Sequence, residues 1–459
     1  MGAALCQIAP MYTPAEVCRH INRIGAELFF SFDLILTPEM ERMVYEETNV
    51  RRIIVIQSAP MPGRDSRTLS WEDFMALGQN VTLPEIHRDP DDVLFLGSTG
   101  GSTGEPKSVM LSDNCFNTAV HQILNTPLDY RPGDSWLRLW PIFSVSACCA
   151  NHHMPLCAGM RMVLRYMPMD MSNFDRILLH DRPNHLMLIP QLLDQVEHSP
   201  LVAGQDLSFI RSVGCGGMAI TLPFEERVAA FFEKHNIDAF LGYGWGCSES
   251  CAMASNRSSR ATVIPGTSGI PMAHTLVAAF DTESGLELPY DAEGELCISS
   301  PTLMLGYYND PDATARVIRT HADGRRWLHT GDLGSVSSDG FVSVRGRMTR
   351  TIFVSSSAKI YPQSMESEIS RLPGVMEVVI CAVPRPENDG FFAPVCYAVP
   401  EDMAEAETVK ASVASFCERS YSADARPIRV FIKEHLPLTS GNKPDILRLE
   451  KEAAVLLHG

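Results

Sequence analysis

Glycines, hydroxyl groups and a lysine crowd into one short segment of the chain, at Thr99, Gly100, Gly101, Ser102, Thr103, Gly104 and Lys107. Glycines let backbone N–H groups approach a polyphosphate closely, and hydroxyls and a lysine donate to its charged oxygens. Residues 99–107 are therefore predicted to cradle a triphosphate. They do not form a Walker loop, because Glu105 and Pro106 separate Gly104 from Lys107.

Serine hydrolases offer a second interpretation of this segment, since residues 100–104 fit the G-x-S-x-G nucleophile elbow with Ser102 as the nucleophile. The elbow needs a helix directly after the serine. Pro106 and the β-rich residues 108–111 favour a strand, a loop and a second strand instead. A glycine and serine surface turn is the third interpretation, and composition alone leaves it open.

Short apolar runs bounded by polar or Pro/Gly clusters alternate with helical patterns along the chain. The runs at residues 53–56, 93–96 and 187–189 have the length and the boundaries of buried strands. Ser112 is a candidate helix cap, and after it apolar residues recur on one face of a 3.6-residue period. This alternation predicts an α/β large domain of layered sheets with helices.

From Gly294 onward the residue pattern changes and predicts successive strands, with Ser338-Asp339-Gly340 as a tight hairpin turn. After Arg347 the pattern predicts helix, strand, strand, helix and strand, which is a compact α+β unit. Two bodies are expected, because single hydrophobic cores stop growing at roughly 250–300 residues. We assign residues 1–346 to the large domain and 347–459 to a small C-terminal lid domain, with a hinge at residues 346–350.

Bulk composition excludes several classes of function. The formal net charge of −17 argues against a nucleic-acid or anionic-membrane surface. Thirteen cysteines are scattered without a C-x-x-C pair, which indicates reduced thiols. No apolar run reaches the roughly 20 residues that a membrane-spanning helix needs. A soluble cytoplasmic protein without an integral membrane segment is the resulting expectation.

Residues 99–107 resemble the signature loop of the adenylate-forming (AMP-binding) superfamily, which includes acyl-CoA synthetases, adenylation domains of peptide synthetases and luciferases. Further motifs resemble this family in its chain order, so the chain is identified as a member of the acyl-CoA synthetase branch. These motifs are Gly214-Cys215-Gly216-Gly217-Met218, Trp245-Gly246-Cys247-Ser248-Glu249, Gly294-Glu295-Leu296, Gly306-Tyr307-Tyr308, Thr330-Gly331-Asp332-Leu333, Gly346-Arg347 and the lysine loop from Leu436 to Asp445.

The resemblance implies roles for individual residues. Lys443, a compact cation from the small domain, would contact the carboxylate and the α-phosphate. Glu249 would hold Mg²⁺, with Thr103 or Ser248 as a hydroxyl ligand. Residues implied in nucleotide binding are Thr99, Gly101, Ser102, Thr103, Gly104, Lys107, Gly216, Gly217, Met218, Trp245 (stacking on adenine), Gly246, Ser248, Asp332 (on the ribose) and Arg347. Residues implied in the acyl pocket are Phe143, Ser144, Gly214, Cys215 and Gly244.

The implied reaction is ATP-dependent formation of an acyl-adenylate, followed by transfer to coenzyme A as an acyl thioester. No carboxylate side chain occurs between Trp136 and Met169, so an α-amino acid, whose ammonium would be buried unpaired, is disfavoured. We expect a fatty, aromatic or polycyclic acid. Two alternatives stay open: loading of an acyl carrier protein thiol, and a catalytically impaired relative that only binds nucleotide or acyl groups.

Several positions depart from the family's pattern. Ser144 stands where many acyl-CoA synthetases have His, and Asn442 replaces a glycine before the lysine. Ser355-Ser356-Ser357 replaces a Ser-Gly-Gly turn beside the thiol channel, and thioester formation could be impaired as a result. By resemblance, about the first hundred residues of the family's large domain are missing, which should expose a sheet edge and part of an apolar face.

Overall fold

A computed structural model describes the chain apart from residues 1, 11, 58–62, 83–84, 99–106, 140–141, 166–172, 217–219, 221, 351, 355–358, 386–390, 424, 440–443 and 459. For residues 191, 223, 353, 359, 364 and 458 it describes the backbone alone. All thirteen cysteines are free thiols, as expected. None of the described helices combines the length and the apolarity that crossing a bilayer requires.

Strands and helices alternate along most of the chain. The strands are β1 (Leu5–Cys6), β2 (Leu28–Phe32), β3 (Arg52–Ile56), β4 (Thr68–Ser70), β5 (Val93–Ser98), β6 (Ser108–Ser112), β7 (Ser135–Arg138), β8 (Arg161–Leu164), β9 (His185–Leu188), β10 (Ser212–Cys215), β11 (Leu241–Trp245), β12 (Ser255–Asn256), β13 (Ile270–Pro271), β14 (Leu276–Phe280), β15 (Gly294–Ser299), β16 (Gly306–Tyr307), β17 (Ile318–Thr320), β18 (Arg326–Val336), β19 (Val342–Arg347), β20 (Ile352–Phe353), β21 (Lys359–Ile360), β22 (Val375–Pro384), β23 (Phe392–Pro400) and β24 (Val430–Ile432).

The helices are α1 (Pro14–Ile24), α2 (Pro38–Glu47), α3 (Trp71–Leu77), α4 (Asp113–Leu124), α5 (Val145–Cys148), α6 (Met154–Cys157), α7 (Phe174–Asp181), α8 (Pro190–His198), α9 (Leu222–Lys234), α10 (Pro311–Val317), α11 (Pro362–Ile369), α12 (Ala406–Ser420) and α13 (Ile446–His458). A wide π turn, Cys149–His153, joins α5 to α6. Single 3₁₀ turns occur at Ser248–Ser250, Arg260–Thr262, Met348–Arg350 and Met403–Glu405.

The largest sheet has the strand order β13-β12-β11-β10-β9-β7-β8, and its five strands from β11 to β8 are parallel. The apolar run predicted at residues 187–189 overlaps β9 of this sheet, whereas the runs at 53–56 and 93–96 belong to β3 and β5 of other sheets. One face packs on a core shared with α7, α8 and α9, and the opposite face packs on a core shared with α4 and the helix of residues 145–157. The predicted layered α/β architecture is confirmed.

A second sheet, β1-β5-β6-β16, frames the glycine-rich segment. β5 and β6 pair antiparallel, with Ser98 opposite Ser108, so a strand lies on each side of the glycine-rich segment, as predicted. From Ser108 the described chain is a strand and not the helix of a nucleophile elbow. Ser112 then caps α4 by accepting a hydrogen bond from the Cys115 backbone N–H, as its pattern predicted.

A third sheet carries β14-β15-β18-β17, with β19 paired to β18. The predicted hairpin turn joins β18 to β19, and Gly340 supplies the positive φ of 84° that the turn requires. Farther along, β22-β23-β24 form a sheet packed on α11, α12 and α13. The predicted helix, strand, strand, helix and strand correspond to α11, β22, β23, α12 and β24, whereas the short strands β20 and β21 before α11 and the final helix α13 were not predicted, and α11 ends at Ile369.

The small sheet β2-β3-β4 presents an exposed apolar strip at its β2 edge. Leu28, Phe30 and Phe32 alternate along β2 and are 51%, 46% and 45% exposed. Alternate residues of a strand share one face, so these three side chains form a single strip. The strip is an exposed apolar surface of this small sheet.

Candidate active site

A buried carboxylate, Asp332, forms the centre of one half of the site. Asp332 lies on β18 and is only 6% exposed. The indole Nε1 of Trp245, at the end of β11, donates to its Oδ2 at 2.9 Å, and Arg347 Nε, at the end of β19, lies 2.9 Å from its Oδ1. The register of β18 and β19 sets Asp332 opposite Arg347. Side chains from three strands therefore meet at one carboxylate. The hydrogen bond from Trp245 and the ion pair with Arg347 orient it.

The turn that precedes Asp332 is fixed by Glu295 on β15. Glu295 Oε1 accepts a hydrogen bond from the Gly331 backbone N–H at 3.0 Å, and its Oε2 lies 2.8 Å from His329 Nδ1. Gly331 has φ 71°, a conformation that favours glycine. Glu295 thus positions the backbone that delivers Asp332. The sequence named Glu295 only as part of a motif and gave it no role.

Trp245 is more deeply buried than its predicted role requires. It is 9% exposed and packs with Ala254, Val277 and Leu296. Its neighbour Gly246 permits the next turn, because a Cβ there would lie 2.3 Å from the carbonyl oxygen of Ala252. Contact of adenine with the small accessible part of the indole stays a prediction, whereas the indole's support of Asp332 is observed.

The second half of the site joins three motifs that are far apart in sequence. The Tyr307 hydroxyl donates to Glu249 Oε1 at 2.7 Å, and Lys107 Nζ lies 4.8 Å from the centroid of the Tyr307 ring. Burial, and then the Glu249 carboxylate, raises the pKa of Tyr307, so the phenol stays protonated and can donate. The Met304 backbone N–H donates to the Glu249 carbonyl at 2.8 Å. Like Glu295, Tyr307 was part of a motif in the sequence but had no predicted role.

These two halves meet at the end of β11. Trp245 contacts Asp332, and four residues later Glu249, in the Ser248–Ser250 turn, contacts Tyr307. The Glu249 carboxylate is a hard oxygen donor of the type that Mg²⁺ prefers, so it fits the predicted metal role. The remaining predicted residues of this half lie outside the described residues: Thr99, Gly101, Ser102, Thr103, Gly104, Gly217, Met218 and Lys443, together with Ser355, Ser356, Ser357 and Asn442.

A cavity opens on the face of the large sheet beside β11. It encloses about 610 Å³ of empty space, open solvent at its mouth included, and the predicted residues Gly214, Cys215 and Gly244 line it. Burial raises the pKa of the Cys215 thiol to about 12, so this thiol is neutral and a poor nucleophile. Phe143 and Ser144 were predicted for the same pocket, but they are not among the described residues that line it. They lie in the turn before α5, where Ser144 is the N-cap residue.

Glycines form the floor of this cavity, and methionines lie on them. Gly214 of β10 pairs with Gly242 of β11 on one side and with Met187 of β9 on the other. A Cβ at Gly214 would lie 2.4 Å from Met187 Sδ, and a Cβ at Gly244 would lie 2.9 Å from Met253 Sδ. Two flexible thioether chains therefore occupy the space that side chains at Gly214 and Gly244 would fill. The sequence did not identify either methionine as a pocket residue.

Comparison with known proteins gives matches over both parts of the chain. Residues 1–308 match the family profile described as AMP-binding enzyme, and residues 364–443 match the profile described as AMP-binding enzyme C-terminal domain. A 4-coumarate–CoA ligase of Pinus taeda is 25% identical over 439 residues, which are 93% of this chain and 78% of the relative. A 4-coumarate–CoA ligase 2 of Nicotiana tabacum is 26% identical over 463 residues, 99% of this chain and 80% of the relative.

Solved structures superpose on nearly the whole chain. The anthranilate CoA ligase AuaEII in complex with anthranoyl-AMP has a TM-score of 0.84 at 21% identity and is matched over 100% of this chain and 84% of that one. ATP-bound MatB from Rhodopseudomonas palustris has a TM-score of 0.83 at 20% identity, over 99% of this chain and 84% of that one. At these identities the superpositions establish a shared fold.

Proposed function

Because the chain belongs to the AMP-binding enzyme family, we propose that it activates a carboxylic acid with ATP and then transfers the acyl group to coenzyme A. In the first half-reaction a carboxylate oxygen bonds to the α-phosphorus, the bond from that phosphorus to the bridging oxygen breaks, and pyrophosphate leaves. In the second, the thiol sulfur bonds to the acyl carbon, AMP leaves, and the thiol proton is released to solvent.

One observation carries this proposal: β11 serves both the cavity and the nucleotide side. Gly244 lines the cavity, and the next residue, Trp245, hydrogen bonds to Asp332. An acid in the cavity would therefore have its carboxylate close to a nucleotide held at Asp332. Bringing two anions together in line is the central task of adenylation, since their mutual repulsion opposes the reaction.

Each residue has a distinct part in this scheme. Asp332 accepts hydrogen bonds from the ribose hydroxyls, and Arg347, which pairs with it, orients it or donates to the nucleotide. Glu249, oriented by Tyr307, and Thr103 hold Mg²⁺; when bound, this ion neutralises charge on the phosphates. Lys443 supplies the cation that offsets repulsion between the carboxylate and the α-phosphate.

The lining of the cavity supports a non-amino acid as the substrate. No Asp or Glu is among the described residues that line it, so a substrate ammonium would find no partner there. The relatives named as 4-coumarate–CoA ligases, and the neighbour that holds anthranoyl-AMP, act on or bind aromatic acyl groups. A plain aromatic or fatty acid skeleton is the proposed class for this chain.

Exchange of labelled pyrophosphate into ATP, tested with a panel of carboxylic acids, isolates the first half-reaction. We expect acid-dependent exchange in the wild type, loss of exchange in Lys443→Ala, and full exchange in the control Lys410→Ala. Lys410 is a surface lysine on α12, 3.8 Å from Glu407. Its replacement by alanine also removes one ammonium group, so this variant is a matched control. Undiminished exchange in Lys443→Ala contradicts the proposed mechanism.

Assay of the second half-reaction separates the remaining alternatives. Formation of an acyl thioester after addition of coenzyme A supports the ligase assignment. If the adenylate accumulates, as detected by trapping with hydroxylamine, a carrier-protein thiol should be offered next as the acceptor. ATP binding without exchange for any acid identifies a catalytically impaired relative instead.

A further inference from the structure

One arginine lies on the same sheet face as the cavity, outside the residues assigned above. Along β7, Trp136 lines the cavity, whereas Leu137 packs on the opposite core. Side chains alternate along a strand, so Arg138 lies on the same face as Trp136. Leu137 pairs with Leu186, which places Arg138 beside Met187, in the row of residues that continues to Gly214.

Distances along this row bring Arg138 within reach of the cavity floor. Adjacent strands are about 4.8 Å apart, so two strand spacings separate the backbone of Arg138 from that of Gly214 by about 10 Å. A single side chain, that of Met187, fills the interval, since its Sδ lies over Gly214. Methionine is unbranched and adapts its shape readily, so an entering acid can displace it.

No carboxylate of the described residues pairs with Arg138. Among the described residues its guanidinium forms no hydrogen bond or ion pair, and its Nε is buried without a partner. Burial lowers the pKa of Arg138, which reflects the cost of removing this cation from water. Arg138 as a whole is partly buried, and its buried Nε–H is the donor without a partner, so a ligand entering from the cavity side could supply the missing acceptor.

A second basic residue, His152, lies near Arg138 on the helix that packs against β7. His152 lies in the π turn, and its Nδ1 is also buried without a hydrogen-bond partner among the described residues. Burial, and then the charge of Arg138, lowers the pKa of His152. Two further polar side chains line the cavity: Asn151, which is 3% exposed, and Trp136, whose buried Nε1–H has no partner among the described residues.

We propose that Arg138 and His152 recognise a second carboxylate, so that the acid activated here is a dicarboxylic acid. This inference rests on the proposed function, because one carboxylate must reach ATP while the other meets Arg138. A planar guanidinium matches a carboxylate with two parallel hydrogen bonds. The span of about 10 Å between the two rows favours a spacer of several carbons or an aryl ring.

Pyrophosphate exchange with matched acids tests this proposal. Hexanoate is compared with hexanedioate, and cinnamate with 4-carboxycinnamate, so that each pair differs by one carboxylate. In at least one pair, kcat/KM for the diacid should exceed that for the monoacid by about tenfold or more, the range of a charged hydrogen bond. Arg138→Met should abolish this preference, Arg138→Lys should keep part of it, and Arg161→Met, at an exposed position on β8, should leave it unchanged.

The outcomes distinguish the two proposals. Exchange with equal or better rates for the monoacids, unaffected by Arg138→Met, overturns the second-carboxylate site while upholding adenylation. Exchange with none of the acids overturns the proposed function, and calorimetric titration then decides the anion site by itself. Hexanedioate should bind the wild type and lose about tenfold in affinity in Arg138→Met. Equal affinity, or no binding to either protein, rejects the site.

Discussion

Replacing Tyr307 by phenylalanine removes one hydroxyl from the centre of the nucleotide side. That hydroxyl donates to Glu249 Oε1 at 2.7 Å, and Tyr307 is 6% exposed. Glu249 is only partly buried, so water can replace the lost donor. The cost in folding free energy should therefore be near the low end for a hydrogen bond to a charged group, about 1.5 kcal/mol.

The effect on Mg²⁺ follows from orientation rather than from charge. Without the hydroxyl, the Glu249 side chain must be immobilised when the metal binds, which costs about 0.5–1.5 kcal/mol, or roughly 2- to 12-fold in affinity. We expect the Mg²⁺ concentration for half-maximal pyrophosphate exchange to rise by this factor in Tyr307→Phe. A much larger rise would mean that the ring also moved, which a thermal unfolding scan would reveal.

Tyr308→Phe is the matched control for this measurement. Tyr308 is the next residue, and its backbone N–H donates to the Ser108 carbonyl, but its phenol has no hydrogen bond among the described residues. Its removal should leave the Mg²⁺ dependence unchanged. Equal Mg²⁺ dependence in Tyr307→Phe, Tyr308→Phe and the wild type would refute the positioning role of Tyr307.

Three further predictions concern the fold and the carboxylate at its centre. Glu225→Gln should destabilise the protein by about 3–5 kcal/mol in denaturant unfolding, because it leaves the cation of Arg257, 1% exposed, without its partner at 2.7 Å. Asp332→Asn should reduce pyrophosphate exchange chiefly by raising the KM for ATP, since it removes the ion pair with Arg347; an unchanged KM would contradict this. Burial lowers the pKa of His20 to about 4, so the unfolded chain binds a proton more readily below its ordinary pKa of 6.5. Stability should therefore fall by up to about 3 kcal/mol as the pH drops from 6.5 to 4, and this loss should be absent in His20→Leu.

Local sequence patterns were sufficient to predict the strands and the helix around the glycine-rich segment. The Ser112 cap and the strands on either side of residues 99–107 depend on neighbouring residues alone, and the structure has them where the pattern put them. The final helix, α13, follows Pro444 and repeats apolar residues at Leu449 and Ala453, so its signal was present but was not used. The order of strands and helices could therefore be predicted wherever it depends on the spacing of apolar residues along the chain.

Contacts between distant residues could not be predicted in this way. Trp245 and Asp332 are 87 residues apart, and Tyr307 and Glu249 are 58 apart. A motif names each residue, but only the packing of separate sheets decides which of them touch. Phe143 is a related case: it lies in the turn before α5 and is not among the described residues that line the cavity, so its role in the acyl pocket stays a prediction.

The π turn at Cys149–His153 has a consequence for how this protein can diverge. Hydrogen bonds that span five residues instead of four let this turn hold one residue more than an α turn, while α5 and α6 continue on either side. The helix can therefore accommodate the insertion or deletion of one residue at this turn. Such a change would re-aim Asn151, which lines the cavity, and His152, while Trp245, Asp332 and Glu249 lie on other elements, so the lining of the cavity can change through length as well as through substitution.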